Sequence, residues 1–95
     1  MTNDLNAKSL PSEGDVITEL EDYLTKMPRP VTLSEAYLRL ADRFGLTREE
    51  RTRLMPNGKD IHWENRVRFA RRKLKDAGKL DTSQPHGKWA IKREP

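Results

Sequence analysis

Ninety-five residues carrying a net charge of +4 leave room for one domain with a single modest core. With 34% of residues apolar and 36% charged, no stretch approaches the ~18 apolar residues of a membrane span. The first residues, MTNDLNAKSLPSEG, contain no apolar signal core. The absence of cysteine excludes disulfides and thiolate metal sites and fits a reducing compartment, so a cytoplasmic location is expected.

The charge is unevenly placed. Residues 1–57 hold 8 Lys/Arg against 10 Asp/Glu, a balance of −2, and residues 58–95 hold 11 against 5, a balance of +6. An acidic half joined to a basic half suggests one face suited to a polyanion, which concerns partners rather than fold.

In chain order, residues 1–12 are polar, lack periodicity and are expected to form a frayed tail, with the domain proper over 13–95. Ser12 is a suitable N-cap for a first helix from about Glu13 to Lys26, with Glu13 and Asp15 at its positive end. Val16, Ile17, Leu20, Tyr23, Leu24 and Met27 recur at helical spacing as its core stripe, and Pro28 and Pro30 stop it. Val31 is then placed to pair, as a very short strand, with a later hairpin.

Thr32 and Glu35 match a capping box that opens a second helix to about Phe44, with Ala36, Tyr37, Leu40, Ala41 and Phe44 inward and Gly45 ending it. Thr47 and Glu50 repeat the box and predict a helical turn or two, anchored by Leu46, Leu54 and Met55. Pro56-Asn57-Gly58 reads as a turn. Asp60 is the expected cap of a long helix to Ala77 with Gly78 as its left-handed end, and Trp63, Val67, Ala70, Leu74 and Ala77 form its narrow apolar stripe. Leu80, Trp89 and Ile91 suit the buried face of a two-stranded hairpin looping through Pro85-His86-Gly87.

The long helix carries the chemistry. Arg66, Arg68, Arg71, Arg72, Lys73 and Lys75 crowd ten residues with no acid among them. Repulsion at i,i+3 and i,i+4 costs a few tenths of a kcal/mol per pair, roughly, so a counter-charge is implied. Asn65, Arg68, Phe69 and Arg72 project away from the core stripe, flanked by His62, Arg66 and Lys73. Phosphate contacts are expected from Lys59, Arg66, Lys73, Lys75 and Lys88, and base contacts from His62, Asn65, Arg68 and Arg72. The loop Ser83–Lys88, with His86 near its tip, suits a wing resting on the nucleic-acid backbone. Alternative counter-charges are the chain's own Glu19, Glu21 and Asp22, or a partner protein. Phe69 is expected to pack under the hairpin or against the N-terminal part, with a DNA-facing or dimer-facing aromatic as the alternative.

His62 and His86 lie far apart with no acidic cluster at ligand spacing, so no metal site is expected. Gly58-Lys59-Asp60 lacks an upstream glycine-rich loop and is no Walker motif, and nothing suggests a cofactor or a small-molecule substrate. The expected fold is therefore α+β, mainly α: a winged helix-turn-helix of three main helices, a short helical turn and a C-terminal two-stranded hairpin wing. The expected activity is non-catalytic binding of double-stranded DNA.

The run NRVRFARRKLKDAGKL, with the preceding LTREERTRLMPNGKDIHWENR and the closing HGKWAI, resembles the N-terminal winged-helix domain of Mrr-type restriction-system proteins. Asn65, Arg66, Val67, Ala70, Leu74, Ala77 and Gly78 stand at matching positions, and Phe69 stands where the family commonly has Trp, which implies a structural role for it. The resemblance covers about residues 13–92 and is most specific over 54–80. It implies a DNA-binding module that delivers a nuclease to its target. Two departures from the family pattern are expected: no nuclease domain within these residues, and the ending AIKREP, which has no Thr-x-x-Gly in the last strand. The rival reading is a protein-docking module, in which acidic Glu19, Glu21 and Asp22 meet the basic face of a second copy; a nuclease partner and RNA binding complete the alternatives.

Overall fold

The computed structural model describes residues 10–93, and among them four helices and one two-stranded sheet follow each other along the chain. In order they are α1 (Glu13–Lys26), β1 (Val31–Thr32), α2 (Leu33–Arg43), α3 (Arg48–Thr52), α4 (His62–Asp76) and β2 (Lys88–Trp89). The mainly helical α+β architecture is the expected one and is compatible with a winged-helix fold.

Local chemistry sets the helix ends. The Ser12 hydroxyl accepts the Asp15 amide at 3.1 Å, and both capping boxes close reciprocally at Thr32/Glu35 and Thr47/Glu50. At the end of α4 the Gly78 amide donates to the Lys75 carbonyl and the Lys79 amide to the Leu74 carbonyl, with Gly78 at φ 76°. That is a complete Schellman closure, which needs the left-handed residue that glycine supplies.

The start of α4 departs from expectation. Asp60 does not cap it; Ile61 is the N-cap and has no side-chain hydrogen bond. The Asp60 carboxylate is engaged by the Asn57 side-chain amide at 2.9 Å, and Asn57 Oδ1 accepts the amides of Lys59 and Asp60. A bridge between Leu54 and Ile61 closes this turn, and the Arg53 carbonyl accepts the His62 amide at 2.8 Å. The turn chemistry of Asn57 thus captures the acid, and a backbone ladder satisfies the orphan donor that a cap would have taken.

The core is continuous. Val16, Leu20, Tyr23 and Leu24 of α1 meet Trp63, Val67, Ala70 and Leu74 of α4, with Ala36, Leu40 and Ala41 of α2 on the flank. The Trp63 ring stands edge-on to Phe44 at 5.9 Å, and its Nε1 donates to the Tyr37 carbonyl at 3.0 Å. Some expected core members lie elsewhere, and Met55 is half-buried and not among those packed on the cluster. Ala77 is exposed because α4 ends one residue before it, and Leu54 is 51% exposed because its segment forms the bridge beside Ile61.

The sheet pairs Val31 with Trp89 and Thr32 with Lys88, antiparallel, so the one strand residue expected after the prolines does meet the hairpin. The other arm of the hairpin is reduced to a bridge between Leu80 and Ile91, held by the Asp81 amide on the Ala90 carbonyl and the Lys92 amide on the Lys79 carbonyl. Leu80, Trp89 and Ile91 are buried. Of the expected tail, residues 1–9 lie outside the described residues. Within 10–12, Leu10 is buried in the core cluster and the Pro11 carbonyl accepts Arg66 Nη1 at 2.6 Å.

Candidate nucleic-acid interface

Because α4 buries Trp63, Val67, Ala70 and Leu74, the 100° step per residue turns Asn65, Arg68, Phe69 and Arg72 to the opposite side. Arg68 and Arg72 are exposed, and these four residues line a shallow depression of about 190 Å³. Arg72 makes no ion pair or side-chain hydrogen bond among the described residues. Arg68 is lightly held: its Nη1 donates to the Tyr37 hydroxyl at 3.1 Å and sits 3.9 Å from Glu64 Oε1. Lys73 lies over the Phe69 ring at 5.3 Å. Phe69 itself is half-buried and is not among the partly buried hydrophobic residues packed on the core cluster.

A second, larger groove of about 470 Å³ opens between α4 and the wing. Arg68, Arg71 and Lys75 line it from the helix, and Gln84, His86 and Lys88 from the wing, over a floor that includes Leu33 and Trp89. Arg68 lines both depressions and so joins the helix face to the wing. The wing is braced by Asp81, whose carboxylate accepts the Ser83 amide and hydroxyl and the Gln84 side-chain amide. These bonds, Ser83 foremost, hold the Asp81 carboxyl below its ordinary range.

The structure therefore brings Arg68, Lys75, His86 and Lys88 together around one groove, and Asn65, Arg68 and Arg72 along the helix face. Other expected residues stand apart. Lys59 is exposed in the turn before α4. Arg66 is tied to the Pro11 carbonyl and lies 3.4 Å from His62 Nε2. Burial first, and then the Arg66 and Arg53 charges, push the His62 pKa below its ordinary value. Arg71 is not among the contact residues expected from sequence; it lies near the apolar stripe on the helical wheel, four residues after Val67, and that position turns it toward the hairpin.

The acids of α1 are occupied elsewhere. Arg43 reaches Glu19 at 3.0 Å and Asp22 at 2.9 Å, Lys26 pairs with Asp22, and Lys79 pairs with Glu21. The alternative partners named for the α4 cations are thus neutralised by other cations. Among the described residues no group of His, Cys, Asp or Glu is arranged to hold a metal, and no helix is long and apolar enough to cross a membrane.

A mainly helical domain with a two-stranded antiparallel sheet, presenting an arginine-rich helix beside a short wing, defines the class. Within that class the chain belongs to the Mrr N-terminal domain family, whose model matches residues 16–94. No curated protein and no solved structure matches the chain. Membership ties it to the modules of restriction-related systems.

Proposed function

We propose that this chain is a non-catalytic module that binds double-stranded DNA and serves as the targeting part of a restriction-type or regulatory system. α4 enters the major groove, and the wing rests on the flanking backbone. The observation that carries the reading is the state of the cations on that side. Arg72 and Lys75 make no ion pair among the described residues, Lys88 makes none although its charge is felt at Glu35, and Arg68 has one distant acid, whereas Arg43 and Lys79 on other faces are paired at 2.9–3.3 Å. Like charges at i,i+4, such as Arg68 with Arg72, raise the energy of the free helix and are relieved by phosphate.

In this reading Lys59, Lys73, Lys75 and Lys88 serve phosphates, and Asn65, Arg68 and Arg72 face base edges, with His62 beside them. Arg66, held by a backbone carbonyl, contributes its field more than a direct contact. Fluorescence anisotropy with a short duplex at increasing NaCl tests the proposal: log affinity is expected to fall with log salt at a slope of about −4 to −5. Binding that ignores salt, or no binding at low salt, removes the basis for it. The rival, in which the acids of α1 dock on a second copy's basic face, is disfavoured because Glu19, Glu21 and Asp22 are already paired within the chain.

A further inference from the structure

We propose that the groove between α4 and the wing is a phosphate clamp, in which the Arg71 guanidinium grips one phosphodiester of the bound strand; this rests on the DNA-binding reading above. Arg71 Nε is buried and has no hydrogen-bond partner, although buried donors are almost always satisfied. The guanidinium lies over the Trp89 ring at 5.7 Å, so it is held in place by the ring and not by an acceptor. Asp81 is the one acid lining the groove, and its oxygens accept from Ser83 and Gln84. A donor fork is thus oriented, desolvated at one nitrogen and left without an anion.

The surroundings decide which anion. Arg68, Arg71, Lys75 and Lys88 supply four formal positive charges against the single Asp81, a balance of +3. A carboxylate would neutralise one of these. A phosphodiester accepts the guanidinium fork as a carboxylate does, but within a strand it comes with further phosphates that extend toward Lys75 and Lys88. The clamp also explains how so short a wing engages DNA: the grip lies at its root, against Trp89, rather than at the His86 tip.

The test compares wild type, Arg71→Met and Arg71→Lys by anisotropy on one duplex over a range of NaCl, with thermal melts to confirm folding. Arg71→Met is expected to bind about tenfold or more weakly, from losing a charged hydrogen bond. Its salt slope should flatten by about 0.9, one phosphate contact. Arg71→Lys keeps the charge but not the fork, so affinity should fall while the slope stays at the wild-type value. A folded Arg71→Met with wild-type affinity and slope overturns the clamp alone. If Arg71→Met does not fold, a folded Arg71→Lys with wild-type affinity overturns it. Wild-type protein that fails to bind the duplex overturns the DNA reading and the clamp together.

Discussion

Replacing Arg68 with alanine separates a contact residue from a structural one. In the free protein the guanidinium is held by the Tyr37 hydroxyl at 3.1 Å and, weakly, by Glu64 at 3.9 Å, and the side chain stays 43% exposed. An exposed hydrogen bond of this kind contributes no more than about 1 kcal/mol. An i,i+4 ion pair adds about 0.3–0.5 kcal/mol, and the better helix propensity of alanine offsets about 0.2 kcal/mol. The expected loss of stability is therefore about 1 kcal/mol, or roughly 4–8 °C in Tm for a domain of this size. Binding should suffer more. Arg68 lines both the helix depression and the wing groove, and losing a base contact costs about 1–3 kcal/mol, roughly 5- to 150-fold in Kd. Circular-dichroism melts and duplex anisotropy on the same sample read both quantities. A folded Arg68→Ala that binds DNA as wild type does, or one that melts tens of degrees lower, refutes the reasoning.

Trp63→Ala should cost about 3–5 kcal/mol in urea unfolding, a large share of the roughly 5–15 kcal/mol typical of small domains, because it removes a fully buried ring packed on Phe44 and strips the Tyr37 carbonyl of its donor. Glycine-to-alanine changes should have opposite signs at two positions. Gly78 at φ 76° should lose about 1–2 kcal/mol, whereas Gly14, helical and with nothing near its missing Cβ, should gain up to about 0.5–1 kcal/mol; melts showing the same sign at both would contradict the backbone argument. The Arg29 guanidinium and then the Thr32 amide hold the Glu35 carboxyl down from an ordinary 4.5 to about 2. A carboxyl depressed in the folded state stabilises it above the unfolded pKa and loses that contribution as pH falls, so melts should show a loss between about pH 4.5 and 2 that Glu35→Gln diminishes.

The parts of this fold readable in advance were those governed by neighbours in sequence. Ser12, Thr32 and Thr47 cap where their hydroxyls meet an amide three residues on, Gly78 closes α4, and the spacing of Trp63, Val67, Ala70 and Leu74 fixes its inner face. What was not readable depended on competition between local partners or on distant ones. Asp60 had two plausible uses, and Asn57, three residues away, won it from the helix. Leu10 looked like tail because its core partners lie on distant elements, and Arg66 looked free because its acceptor, Pro11, lies 55 positions back. Arg71 could be placed in the groove only after the hairpin had set Trp89 beneath it.

The central claim is that the outer side of α4 and the wing form one continuous DNA-contacting surface. An NMR titration of the labelled chain with a short duplex tests it most directly. Shifts are predicted to concentrate in residues 59–75 and 83–88, with the Arg68, Arg71 and Arg72 side chains among them. Shifts confined to α1 and α2, or none at a stoichiometric excess of duplex in low salt, would contradict it.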